Sequence, residues 1–369
     1  MIKSIFLYVG CAVITLIMIV LSFIGCAPQF GSNPSSEQKK LYETFYNYND
    51  GGFESLEETP MMTGEVSTWD FFKSEPNRQP SRDIIPKKID LSSFMKLDED
   101  QYKLSWLGHS AFMINLSNKI ILFDPMLGSH AAPLPLPNLK RYNETLPIEL
   151  DSFKTIDAVV ISHDHYDHLD YYTIKKIKDK VKVFIVPHGV GNHLRRWNVE
   201  DEKIIELNWN ENYKLDDIEI MCLPARHFSG RGPLNRNSTL WSSWAIRSST
   251  LKIYFSGDSG YGKHFKEIGD EHGPFDISLI DCAQYNQAWK YSHMFPSEAV
   301  LAAKDLKTKF FMPIHWGGFT LALHPWDEPV QESIKLAKES GLKYFTPEIG
   351  EIISKEKING PFSKWWEKY

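Results

Sequence analysis

The stretch Ala158-Val159-Val160-Ile161-Ser162-His163-Asp164-His165-Tyr166-Asp167-His168-Leu169-Asp170 is an apolar run that ends in the pattern His-x-His-x-Asp-His. Its first part reads as a buried strand. Four potential metal ligands, His163, His165, Asp167 and His168, then fall within six residues. Alternate side chains on an extended segment point the same way, so His163 and His165 can grip one ion while Asp167 and His168, past a turn, reach a second. Imidazole and carboxylate suit Zn²⁺, with iron or manganese as substitutes that such a donor set accepts.

Working outward, short β-rich runs recur at residues 104–107, 111–116, 120–123, 181–186, 218–223, 244–247, 253–255, 277–280 and 310–314, and helical patterns lie at 171–178, 297–305 and 330–340. Strands packed inside with helices outside predict an α/β fold, an αββα sandwich or a related layered architecture. Polar residues with ligand chemistry stand at three further strand ends: His227 after 218–223, Asp258 after 253–255 and His315 after 310–314. Asp124, in a strand-terminating Asp-Pro, and His109, after Leu107-Gly108, read either as turn residues or as groups that orient ligand imidazoles.

Together these residues, in this order, resemble the signature of the metallo-β-lactamase superfamily. The resemblance implies an αββα sandwich in which His163, His165 and His227 bind a first zinc and Asp167, His168 and His315 a second, with Asp258 bridging. One branch is closer. Trp106-Leu107-Gly108-His109-Ser110, Phe123-Asp124-Pro125, Trp241-Ser242-Ser243-Trp244, Gly273-Pro274-Phe275-Asp276, Pro296-Ser297-Glu298-Ala299-Val300 and Ile314-His315-Trp316-Gly317 are similar to the N-acylphosphatidylethanolamine-hydrolysing phospholipase D family and its bacterial relatives, from about Trp106 to Glu351. His293 aligns with a family histidine that serves catalysis outside the metal shell, although Ser292 stands where eukaryotic members carry Gln.

The function this implies is a zinc-dependent phosphodiesterase of phospholipase D type, acting on N-acylphosphatidylethanolamine or a related membrane phospholipid. Two zinc ions can lower the pKa of a bridging hydroxide's parent water to about 7. Asp167 or Asp258 would orient that nucleophile, and His293 would donate a hydrogen bond or a proton. Arg226, Arg231 and Arg236 are candidate phosphate contacts. The Pro- and Leu-rich loop 126–142 and the aromatic residues Trp289, Tyr291, Phe319 and Trp326 are either walls of an acyl groove or ordinary core. A lactonase or esterase of the same fold, and a metal-binding surface lipoprotein without activity, are the alternatives.

The rest of the chain bounds these readings. Its 369 residues are 42% hydrophobic with a formal net charge of -6, and no long Lys/Arg block offers itself to nucleic acid. Residues 1–26 form an apolar leader that ends in Phe23-Ile24-Gly25-Cys26, which resembles a bacterial lipobox with Cys26 as the lipidated residue. An uncleaved membrane anchor is the other reading. Both place the body on the periplasmic or extracellular face of a bacterial membrane. Residues 27–40 read as a flexible tether, 41–100 as an arm packed on the outside, and 101–369 as the hydrolase domain. Cys222 and Cys282 read as buried free thiols, and the oligomeric state is left open.

Overall fold

The computed structural model describes residues 2–73, 75–98 and 101–369. After a hairpin of β1 (Tyr48–Asn49) and β2 (Gly52–Phe53), a first sheet is built from β3 (Tyr102–Gly108), β4 (Ala111–Leu116), β5 (Lys119–Phe123), β6 (Ile156–Val160), β7 (Val181–Pro187) and β8 (Ile204–Leu207). The second contains β9 (Asn212–Leu215), β10 (Ile218–Leu223), β11 (Ser243–Arg247), β12 (Lys252–Phe255), β13 (Ile277–Asp281), β14 (Phe310–Ile314) and β15 (Lys343–Tyr344). The last strand, β16 (Ile352–Ser354), returns to pair with β3.

Each large sheet has seven strands, in the orders β16-β3-β4-β5-β6-β7-β8 and β15-β14-β13-β12-β11-β10-β9. Both share one pairing scheme. Three antiparallel pairs (β16/β3, β3/β4 and β4/β5; β9/β10, β10/β11 and β11/β12) are followed by three parallel pairs. The two halves therefore repeat a topology that no sequence periodicity reveals.

The sheets face each other across Phe112, Phe123 and Phe255, whose rings stand 5.6 to 6.3 Å apart. Along β4, Phe112, Ile114 and Leu116 enter this central core, while Ala111 and Met113 face outward. There they meet the layer formed by α4 (Tyr171–Ile177) and α5 (Gly191–Arg196). The other outer layer is α6 (His264–Glu271), α7 (Pro296–Asp305) and α8 (Glu328–Glu339). Because the middle of each sheet is covered on both faces, strands such as β4, β6, β13 and β14 are buried along their whole length without alternation.

Two segments depart from the expectations of the sequence. Residues 27–40 are not a free tether: Gly31 and Pro34 are buried, and Trp197 Nε1 donates to Pro28 O at 2.7 Å. Small residues and backbone carbonyls, rather than apolar periodicity, make that contact. The short helices α2 (Ser36–Tyr42) and α3 (Leu91–Met95) also lie before the first sheet, and the arm is not only an outer layer. Tyr42, Phe53 and Phe94 are buried in the core, Phe53 N donates to Asn237 O at 2.8 Å, and Thr63 N to Ala288 O at 2.6 Å.

Helix α1 (Ile2–Cys26) exposes Phe6, Ile14, Leu16 and Ile19. Its side chains are described without interruption only from residue 10, and among the described residues no helix is long and apolar enough to cross a membrane. Cys26 is an exposed free thiol, and Cys222 and Cys282 are buried and free.

Candidate metal centre

Every metal-ligand candidate lies past the C-terminal end of a strand: His163 to His168 after β6, Asp258 after β12 and His315 after β14, at the ends of strands with parallel neighbours where ligands bind, and His227 after the antiparallel β10. Four residues there hold left-handed backbone: His109 (φ 54), Asp124 (φ 36), Gln284 (φ 55) and His315 (φ 70). Such non-glycine conformations cost on the order of 1–3 kcal/mol each and concentrate at functional sites.

Two groups form. His163, His165, His227 and Asp258 have ligand atoms within 4.8 Å of one another, and so do His109, Asp167, His168 and His315. Asp258 lies between them: its Oδ2 is 3.7 and 3.8 Å from Nε2 of His163 and His227, while its Oδ1 is 3.0 Å from His168 Nε2 and 3.1 Å from His315 Nδ1. One carboxylate thus presents an oxygen to each side.

Partners behind the imidazoles set their tautomers. His168 Nδ1 stands 2.6 Å from Asp124 Oδ2, and His227 Nδ1 2.9 Å from the Ser292 carbonyl, so Nε2 of each faces the centre; burial works against a charged His168, but Asp258, Asp167 and Asp124 outweigh it and hold that ring well above its usual value. Asp124 is itself held by Ser162 N at 2.7 Å and Ser162 Oγ at 2.5 Å. Ser110 Oγ lies 2.9 Å from His315 Nδ1. His109 is close enough to join the second group, but its Nε2 is engaged with Asp167 Oδ2 at 2.9 Å, so it orients a ligand.

These residues fit divalent cations. His168 Nε2, His315 Nε2 and Asp258 Oδ1 are buried with no hydrogen-bond partner. Nε2 of His163 and of His227 both approach His165 Nδ1, at 2.8 and 3.2 Å. Nitrogen lone pairs that converge in this way are the donor set of a metal ion. Burial holds His163, His227 and His315 well below the usual imidazole value and pushes His165 down to about 4. They are therefore neutral, the form that ligates. Burial works against ionisation of Asp167, but His168 and His109 hold its carboxyl well below the usual range. Asp258 goes the other way: burial outweighs His168 and raises it to about 7. That buried carboxylate is short of positive charge, which a cation would supply.

A cavity of about 300 Å³ opens onto both groups. It is lined by Met61, Met62, Phe228, Trp289 and Leu321 on its apolar side and by Gln284 and His293 near the metal ligands. His293 Nδ1 stands 3.0 Å from Asp281 Oδ2, which leaves Nε2 for the cavity. Burial disfavours the protonated ring, but Asp281 outweighs it and holds His293 above its usual value.

Of the residues expected to bind substrate, Trp289 lines this cavity. Phe319 and Trp326 are core, and Tyr291 lies 4.1 Å beneath the Arg226 guanidinium. Arg226 is committed to Thr59 Oγ1, Tyr261 O and Glu58 O, and Arg231 to Asp164 O, Leu169 O and Gln29 O. Arg236 reaches Met61 Sδ at 3.0 Å and lies over Phe228. Arg226 and Arg231 are structural anchors rather than phosphate contacts, since backbone carbonyls of adjoining loops absorb their donors. Sequence reasoning missed Met61, Met62, Phe228, Gln284, Asp281 and Leu321. The methionine pair in an aperiodic segment was its only local signal.

Imidazoles and carboxylates gathered at the strand ends of an αββα sandwich define a metal-dependent hydrolase. Residues 119–316 match the family described as the beta-lactamase superfamily domain, and the chain belongs to the metallo-β-lactamase superfamily. It is 37% identical over 331 residues to an uncharacterized protein of Mycobacterium tuberculosis, covering 87% of each chain. It is 32% identical over 266 residues to N-acyl-phosphatidylethanolamine-hydrolyzing phospholipase D 1 of Caenorhabditis elegans, covering 67% of this chain and 74% of that one. Among solved structures, a metallo hydrolase from the archaeon Ignicoccus hospitalis shares the fold, with a TM-score of 0.53 and 24% identity over 69% of this chain and 98% of that one.

Proposed function

We propose that this hydrolase is a zinc phosphodiesterase of phospholipase D type that cleaves N-acylphosphatidylethanolamine or a related phospholipid from a membrane to which it is tethered. The observation that carries the proposal is the cavity in which Met61, Met62, Phe228, Trp289 and Leu321 lead directly to the metal ligands. An apolar wall against a cationic centre suits a substrate with acyl chains at one end and a phosphodiester at the other. The likeness to the nematode phospholipase supports the same reading. So does the exposed apolar surface of α1, which would place the body at a bilayer, with Cys26 available for a lipid anchor.

Zinc bound at the two groups supplies Lewis acidity and a nucleophile at neutral pH. The chain's own residues do the rest. With Arg226 and Arg231 committed elsewhere, His293 is the protein group left at the cavity to meet the developing charge of the leaving alkoxide. Its Nε2 holds the proton to be donated, and Asp281 holds the ring in place. Asp281→Asn is expected to lower turnover of phospholipid by about 100-fold, the lower end of general acid catalysis. Hydrolysis of a nitrophenyl phosphodiester, whose leaving group needs no proton, should fall only a few-fold. Equal losses on both would remove His293 from that role.

The deciding experiment is turnover of a glycerophospholipid panel by the full chain in mixed micelles, with zinc content measured alongside. Release of phosphatidic acid is the expected result. Protein that holds zinc but hydrolyses only lactones or carboxylic esters would overturn the substrate assignment. In the same assay Met61→Ser/Met62→Ser should raise KM for long-chain substrates by about 10-fold, the scale of a few lost methylene contacts. Short-chain turnover should stay unchanged.

A further inference from the structure

We infer that residues 28–33, the segment that follows the apolar helix, are a built-in brace of the metal-binding loop, and that Arg231 and His193 are the positioning residues that couple the two. One guanidinium makes the first link. Arg231 Nη1 donates to Asp164 O at 2.6 Å and to Leu169 O at 2.8 Å, the carbonyls that bracket His165, Asp167 and His168. The same side chain donates through Nε and Nη2 to Gln29 O, at 3.1 and 2.7 Å. It lies 4.1 Å over the Tyr166 ring, whose hydroxyl donates back to Arg231 O at 2.6 Å, and Phe30 meets Tyr166 edge-on at 6.4 Å.

The second link is a relay. Ser32 N–H donates to His193 Nδ1 at 2.9 Å. A ring nitrogen that accepts carries no proton, so in the neutral imidazole the proton sits on Nε2 and is donated to Asp164 Oδ2, 3.2 Å away. Asp164 stands between the ligands His163 and His165, and its other bonds, from Gly230 N at 2.8 Å and Thr239 Oγ1 at 3.0 Å, complete its shell. A backbone amide of residues 28–33 thus selects the tautomer that holds the loop. Gly31 permits the approach: at φ 71, a Cβ on it would lie 1.9 Å from His193 Nδ1.

The brace holds the loop through the carbonyls of Asp164 and Leu169 and the Asp164 carboxylate, so its loss should show in metal retention before it shows in folding. The test uses full-length Gly31→Val, His193→Leu and His193→Gln, with Zn²⁺ affinity read by competition with a chromophoric chelator. Thermal unfolding of the metal-free protein and amide exchange of residues 163–169 are measured in parallel. Gly31→Val and His193→Leu are expected to weaken Zn²⁺ binding by about 10–100-fold, the range for partners behind metal ligands, and to speed exchange in the loop. His193→Gln, whose amide can accept from Ser32 and donate to Asp164, should restore most of the affinity. The inference is overturned if all three variants bind Zn²⁺ within twofold of the wild type. It is equally overturned if His193→Gln binds no better than His193→Leu, or if affinity falls only in step with the melting temperature.

Discussion

Asp258→Asn is expected to abolish turnover and leave at most one divalent ion per chain. Among the described residues Asp258 offers an oxygen to both groups of ligands, with Oδ1 3.0 Å from His168 Nε2 and Oδ2 3.7 Å from His163 Nε2. The amide keeps the shape but replaces a charged oxygen with a donor that points at one of the two sites. Losing a partner behind a ligand costs about 10–100-fold in affinity or activity, so losing a shared ligand should cost on the order of a thousandfold or more. Metal content by elemental analysis and kcat/KM on any good substrate are the readouts. Wild-type metal content with wild-type turnover would show that Asp258 does not bridge. The folded state should tolerate the change, because Asp258 is already short of positive charge in the metal-free protein.

Asp124→Ala should strike both the fold and the metal. Asp124 is fully buried and receives Ser162 N, Ser162 Oγ and His168 Nδ1 at 2.7, 2.5 and 2.6 Å. Alanine strands all three. Each buried polar group left without a partner costs roughly 1–3 kcal/mol. At about 2 °C per kcal/mol, the low end of the scale for large chains, the metal-free protein should melt roughly 10 °C lower. His168, released from its tautomer, should lose about 10–100-fold in metal affinity. Calorimetry of the metal-free protein and chelator competition on the refolded variant separate the two effects. Reduced metal affinity with an unchanged melting temperature would mean that water takes the place of the carboxylate, and no change in either would refute the assignment.

Much of this architecture was legible in the chain because burial on both faces writes strands as uninterrupted apolar runs. The central strands β4, β6, β10 and β14 lie within two residues of where those runs predict them. The edge strands did not announce themselves. β9 is exposed or half-exposed along its length, and β15 and β16 span two and three residues, so their pairing comes from neighbours that already exist. α5 and α6 were likewise missed: the buried face of α5 is Gly191, Asn192, His193 and Leu194, and that of α6 is His264, Phe265, Ile268 and Gly269, so small and polar residues fill positions that an apolar stripe would need. The doubling of the sheet pattern was invisible because it is conserved in pairing direction and not in residue identity.

The sequence by itself determined the fold class and singled out the histidines and aspartates that the fold gathers at the strand ends. A strand end can project only a few side chains into the crevice beyond it, so histidine and aspartate placed there declare the chemistry locally. Tertiary structure alone decided which residues serve those ligands and what surrounds them. Asp281 was assigned to His293, Arg231 was turned from a phosphate contact into a clamp, and Met61 and Met62 came from a distant arm to the cavity. The physical reason is that a guanidinium or a carboxylate is defined by its partners. Those partners lie as far as 202 residues away along the chain, in the case of Arg231 and Gln29, and for the guanidinia they are mostly backbone carbonyls that carry no sequence signature.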